Sequence, residues 1–139
     1  MNKVLSIVIP IFNKWNFTKS CLNDLHKLSN DHEIIIIDNA SSDETNKESY
    51  NLSTEMCNND PELKQAHFSY VRNEENVFHS KACNQGYALA SSDNVLFLNN
   101  DIRVKSNHSN WTESIINACQ DNVLVGPTMG LLDKGLNFV

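Results

Sequence analysis

A chain of 139 residues, 40% hydrophobic and 20% charged, suffices for one domain with a proper core. Its net charge of −6 argues against a nucleic-acid backbone as a partner. The four cysteines, Cys21, Cys57, Cys83 and Cys119, include no CxxC pair and so give no zinc signature. Cys21, Cys83 and Cys119 lie beside apolar residues and read as reduced core thiols. The N-terminus lacks the apolar core and cleavage site of a signal peptide, and no segment approaches the ~18 apolar residues of a membrane span. The expected compartment is the cytoplasm.

Val4–Ile11, VLSIVIPI, reads as a buried central strand with Pro10 near its end. Asn13–Asn16 is a polar loop. Phe17, Cys21, Leu25 and Leu28 then recur at helical spacing, predicting a helix over 16–29 with Asn16 as its cap and Phe17 in the core. Glu33–Asp38, EIIIID, is the clearest strand, and four consecutive isoleucines imply burial on both faces. NASSDET follows, with Ser42 or Asp43 placed to cap a helix around Glu44–Cys57.

Phe68–Val71 is a short strand and Arg72–Ser80 a polar loop. Lys81–Ala90 reads as a helix whose small residues, among them Ala82, Cys83 and Gly86, allow close packing on a sheet, with Ser80 as its cap. Val95–Leu98 is a short apolar run, expected as a buried strand, and it ends in Asn99, Asn100 and Asp101. A helix is expected to start near Asn110, where Asn110 and Glu113 resemble a capping box. A last strand follows at Val123–Val125, then a tail over 128–139. The alternation predicts an α/β fold, a mainly parallel sheet with helices on both faces.

Three polar clusters fall at strand ends: Asn13, then Asp38 and Asn39, then Asn99, Asn100 and Asp101. In a parallel sheet those ends share one edge, where ligands bind in open α/β folds. Asp101 is a hard oxygen ligand suited to Mg2+ or Mn2+ carried by a phosphate. The residues by themselves leave two readings of Asn99–Asp101, a polar turn that closes a strand or a metal site. There is no GxGxxG after the first strand, no P-loop and no GxSxG elbow. A nucleotidyltransferase is disfavoured because IFNKWN lacks glycines.

SIVIPIFN at 6–13, IIIIDNASSDET at 34–45, the run from Asn73 through NQGYALASSD at 84–93, FLNNDIRV at 97–104 and VGP at 125–127 occur in order. Together they resemble the N-terminal, nucleotide-sugar-binding portion of family 2 glycosyltransferases of GT-A fold. The resemblance spans nearly the whole chain. It implies one GT-A (Rossmann-like) nucleotide-sugar-binding domain over 1–139, truncated before the acceptor-binding half. It also implies an inverting transfer from a UDP- or dTDP-linked donor to a carbohydrate or lipid-linked acceptor in polysaccharide synthesis. Pro10, Ile11 and Asn13 would line the base and ribose pocket. Asp38 would bond the base, with Asn39 beside it, and Lys81 and Asn84 would contact ribose or diphosphate. Asn99, Asn100 and Asp101 match the DxD motif, with Asn100 near the ribose and Asp101 on an Mn2+ or Mg2+ ion.

There are departures from the family pattern. The first DxD acid is Asn99, and a usual glycine is replaced near Asn76-Val77. The family's catalytic base would lie beyond Val139. The alternative reading is a non-catalytic nucleotide-sugar-binding module. The resemblance further suggests a peripheral place at the inner membrane face, and the apolar tail suggests packing on a second copy of the chain.

Overall fold

A computed structural model describes residues 5–25, 32–59, 68–103 and 111–118. The elements are β1 (Leu5–Ile11), α1 (Trp15–Leu25), β2 (His32–Asp38), α2 (Thr45–Asn59), β3 (Phe68–Arg72), α3 (Phe78–Leu89), β4 (Val95–Phe97) and α4 (Trp111–Ala118). The strand expected at Val123–Val125, the tail, and Asn110 with its capping box lie outside the described residues.

The described strands form one sheet, in the order β3-β2-β1-β4, with every pair parallel. The α/β expectation therefore holds. β1 and β2 are central, and the isoleucine run 34–37 is buried on both faces. Each such side chain is worth roughly 1.5–3 kcal/mol relative to exposure. Ile7, Ile9, Ile34 and Ile36 pack with Cys21, Leu22 and Leu25 of α1 on one face. Val8, Ile35 and Ile37 pack with Ala82 of α3 on the other. The chain thus winds outward from β1 through β2 to β3, then returns to the far side of β1 as β4. That reversal makes the ends of β1 and β4 a topological switch point.

Pro10 helps to end β4. Ser6 donates its N–H to the Asn94 carbonyl, and Val8 accepts from the Leu98 N–H, both at 2.9 Å. Backbone groups facing one neighbour recur every second residue, so Pro10 is next to face β4, and it has no N–H to give. The ladder stops there, and the chain turns through Asn99–Asp101.

Four sequence expectations need correction. The helix α1 starts at Trp15, so Asn16 lies inside its first turn and is not its cap. Phe17 is 51% exposed, while Trp15 is 8% exposed and buried. The stripe that faces the sheet is Trp15, Thr18, Cys21, Leu22 and Leu25, and Phe17 lies off it. The helix α3 starts at Phe78, three residues earlier than expected, with Val77 rather than Ser80 at its cap. The Asn76 side chain accepts the Phe78 N–H at 2.9 Å and so secures the first turn upstream of Ser80. Finally, β4 is half-buried, with Phe97 exposed, because β4 has a partner only in β1 among the described residues.

The small residues of α3 do what their size suggests. A Cβ on Gly86 would sit 2.2 Å from Val8 Cγ1. Val8 is β-branched and stiff, so only glycine lets α3 lie this close to β1.

Candidate functional site

The carboxyl edge of the sheet carries two constructions. The first joins the loops after β1 and β2. Asn13 and Lys14 adopt left-handed backbone, φ 57° and 62°, which an asparagine tolerates better than most residues. This turns Asn13 toward the β2 loop. Its N–H donates to Ser41 Oγ at 2.8 Å, and its Oδ1 accepts from the N–H groups of Ser42 at 2.8 Å and Asp43 at 3.4 Å. Lys14 N–H donates to Asp43 Oδ2 at 2.7 Å, and Asp43 Oδ1 accepts the Thr45 N–H at 2.9 Å as α2 begins. Slight burial opposes ionisation of Asp43, but bonds from Thr45 and Lys14 outweigh it and hold the carboxyl below its ordinary value.

Asp38 lies under these loops with 0% exposure. Its Oδ1 accepts the Ser41 N–H at 2.8 Å, and its Oδ2 accepts the Tyr70 hydroxyl at 2.7 Å. Arg72 Nε stands 3.8 Å from Oδ2, and the Arg72 guanidinium also donates to the Ser41 carbonyl at 3.1 Å. Burial first, and then the bond to Asp38, push the Tyr70 phenol up from its ordinary value, which fixes it as a donor. Both oxygens are thus engaged within the protein, and the carboxylate is screened from solvent.

Asn39 extends this construction to α3. Its Oδ1 accepts from Asn73 Nδ2 at 3.0 Å, and Asn73 forms a two-way amide pair with Gln85, at 2.9 and 2.8 Å. Tyr70, Arg72, Ser41 and Gln85 carry no functional signal in the sequence. Their signal is spatial: each completes the valence of a strand-end residue from another element.

The second construction is the turn after β4. Asn99 and Asp101 are exposed, and Asn100 is half-buried. Asn100 Nδ2 donates to the buried Thr18 hydroxyl at 2.9 Å, tying the turn to α1. Arg103 donates twice to the nearly buried Asp24, at 2.7 and 3.3 Å, a second tie to α1. Asp101 is thus held in place through its neighbours while its own carboxylate faces solvent. One exposed carboxylate with one exposed carboxamide is a hard-oxygen donor set of the kind Mg2+ accepts together with substrate phosphates. It is too small for a preloaded cage, and no group of three His, Cys, Asp or Glu converges among the described residues.

Of the other expected site residues, Pro10 and Ile11 are buried in β1, and Lys81 and Asn84 are exposed on α3. Phe12, which carries no functional signal in the sequence, is 49% exposed between Ile11 and Asn13. Its apolarity hid it, since an aromatic after a strand reads as core. Phe78 has left-handed backbone, φ 65°. The conformation natural to glycine thus falls just past the Asn76-Val77 pair where the family departure was expected.

A parallel sheet, four-stranded among the described residues, with a switch point at β1/β4 and polar strand ends defines an open α/β domain of the kind that binds ligands at its carboxyl edge. The chain matches the family model for glycosyl transferase family 2 over residues 6–128 and belongs to that family. A mannosyltransferase, PcManGT from Pyrobaculum calidifontis, solved with GDP-Man and Mn2+, superposes with a TM-score of 0.71 at 15% identity. The match covers 88% of this chain and 34% of that one. S. aureus TarS 1-349, also solved with UDP, gives a TM-score of 0.63 at 20% identity, over 82% of this chain and 32% of that one. The chain therefore spans about a third of the length of these structures. These likenesses bear on the fold. No curated protein sequence matches the chain. No helix among the described residues is long and apolar enough to cross a membrane.

Proposed function

We propose that this domain binds a nucleoside diphosphate sugar across the ends of β2, β1 and β4 and serves an inverting glycosyl transfer to a carbohydrate or lipid-linked acceptor. The observation that carries the reading is the topology: the switch point between β1 and β4 brings Phe12 and Asn13 to the same edge as Asn99–Asp101. Ligands of open α/β sheets bind in that crevice.

In this reading the nucleoside lies over the zipped loops. Phe12 offers the base an apolar face. Pro10, Ile11 and Asn13 shape the floor, and Asn39 lies at the base edge. Asp38 is a positioning residue, setting the Asn39–Ser42 backbone through Ser41 and Tyr70. Lys81 and Asn84 reach toward ribose or diphosphate from α3, and Asn99 and Asn100 toward ribose from β4. Asp101 would hold Mn2+ or Mg2+ on the diphosphate, and the ion would supply Lewis-acid stabilisation of the leaving nucleoside diphosphate. The Mn2+ and GDP-Man in the Pyrobaculum mannosyltransferase and the UDP bound to TarS support a nucleotide sugar and a divalent cation as this chain's ligands. The donor is assigned to the UDP- or dTDP-linked class. The general base that deprotonates the acceptor is assigned to sequence beyond this domain.

A thermal-shift screen of UDP, GDP, dTDP and their sugars, with and without Mn2+, tests the proposal. At 100 times its dissociation constant, a ligand should add about 2.7 kcal/mol of stability. No shift with any nucleotide would refute the reading. The alternative, a nucleotide-sugar-binding module without transfer, gives the same shifts but no sugar transfer.

A further inference from the structure

Asp101 lies at a corner of a β-turn. The Ile102 N–H donates to the Asn99 carbonyl at 3.3 Å, which puts Asn100 and Asp101 at the two central positions. That closing bond is long for an N–H···O bond and correspondingly weak. Asn99 and Asp101 are both exposed, so neither is held by packing. The turn needs a second restraint if the carboxylate is to keep one place.

The restraint at the apex comes from the interior of α1. Asn100 Nδ2 donates to Thr18 Oγ1 at 2.9 Å. Thr18 is 0% exposed and stands among the buried residues of α1, with Trp15, Cys21 and Leu22. A hydroxyl in that apolar stripe is costly unless it is bonded, and the residue it bonds is the one beside Asp101. Threonine is also branched at Cβ and stiff at χ1, so its oxygen is a fixed point on a packed helix. The second tie, Arg103 on Asp24, is of another kind. It falls beyond the turn, and the Arg103 side chain is 64% exposed.

A cation of the Mg2+ type accepts little departure from its preferred geometry. A carboxylate already held in place binds it more tightly than one that binding must first order. We infer that Thr18 is a positioning residue for the divalent cation: through Asn100 it holds the β-turn so that the Asp101 carboxylate is presented to the ion. The inference rests on the donor site proposed above and extends that site into the core face of α1.

Calorimetry on the purified chain tests it. Mn2+ is titrated into protein saturated with UDP, dTDP or GDP, and the affinity for each diphosphate is measured separately without metal. Thr18→Val keeps the shape of the side chain and removes the hydroxyl. It should raise the Mn2+ dissociation constant about three- to tenfold, as the loss of one ordinary hydrogen bond does. Metal-free affinity for the diphosphate should change far less, because the zipped loops after β1 and β2 are untouched. Thr18→Ser returns the hydroxyl and should restore Mn2+ binding. In an Asn100→Ala background, Thr18→Val should cost no further Mn2+ affinity, since both act through one bond. A merely structural Thr18 would lower the melting temperature without separating metal from diphosphate. Unchanged Mn2+ affinity in Thr18→Val, equal losses for metal and diphosphate, a loss that serine does not restore, or independent losses in the double variant would overturn the inference and leave the donor site standing. Failure of the wild-type protein to bind any of the three diphosphates, or to take up Mn2+ with them, would overturn the donor-site reading and the inference with it.

Discussion

The two constructions at the carboxyl edge differ in how their charges are kept. At the end of β2, Asp38 is wholly buried and each of its oxygens accepts a hydrogen bond from inside the domain, from Ser41 and from Tyr70. At the end of β4, Asp101 is exposed and is steadied through its neighbours, Asn100 on Thr18 and Arg103 on Asp24. Both acids follow an apolar strand, and by sequence they look alike. The contrast separates an acid that builds the site from an acid available to a ligand. Half of the crevice is organised before any ligand arrives, and the other half presents a free carboxylate on a fixed turn.

The largest expected effect breaks the first construction. Asp38→Ala strands the Tyr70 hydroxyl, the Ser41 N–H and the Arg72 guanidinium at once. Removing one partner of a buried charged network costs about 3–5 kcal/mol. Urea denaturation should show a loss of that order. A loss below about 1 kcal/mol would mean that the carboxylate is dispensable to the fold and that its burial is not what organises the loops.

Asn13 sharpens the same point at smaller scale. Asn13→Gly keeps the left-handed backbone but loses the acceptor for two N–H groups, a cost of about 1–2 kcal/mol. Asn13→Ala adds the penalty of left-handed backbone, roughly 1–2 kcal/mol more. If the two variants unfold at the same urea concentration, the conformation at Asn13 is not enforced by the zipped loops.

Most of the sheet was legible because a buried parallel strand writes itself as an unbroken apolar run, as in residues 34–37. The winding order was not legible, because no pattern within β4 says which neighbour it takes. Helix registers were half legible. The stripe of α1 holds at Cys21 and Leu25 and fails at Phe17, which is apolar yet exposed, while Thr18 is polar yet buried. In the site, the strand-end acids and amides could be found by type and position. Tyr70, Arg72 and Gln85 could not, since each matters only through a residue that is distant in sequence and adjacent in space.

Cys21 reports on the second construction by titration. Burial first, then Asp24, and to a lesser degree Asp101, push its thiol up from about 9 to about 11, with Arg103 opposing. The folded form thus keeps a proton that the unfolded chain gives up. The stabilisation is complete below about pH 9, falls between pH 9 and 11, and is gone above. The slope approaches 1.4 kcal/mol per pH unit at most. Melts in reducing buffer from pH 8 to 11 should show this decline, and Cys21→Ala should be less stable overall but flatter across the window. A wild-type curve parallel to that of the variant would place the thiol in a more open environment than the packing of α1 allows.

The smallest effect on stability is expected where the effect on ligand binding is most selective. Asp101→Ala removes a carboxylate that faces solvent, and surface changes of that kind stay within about 0.5 kcal/mol. The turn should survive, because its ties to α1 run through Asn100 and Arg103. With UDP alone, the variant should be stabilised as the wild type is, since the nucleoside half of the crevice is intact. With UDP and Mn2+, the wild type should gain a further increment and the variant should not. The metal increment is the quantity to compare, because it cancels any difference in the unliganded proteins. Its survival in the variant would move the cation to other ligands. A substantial loss of stability without ligand would return Asn99–Asp101 to the plainer reading, a polar turn that closes a strand.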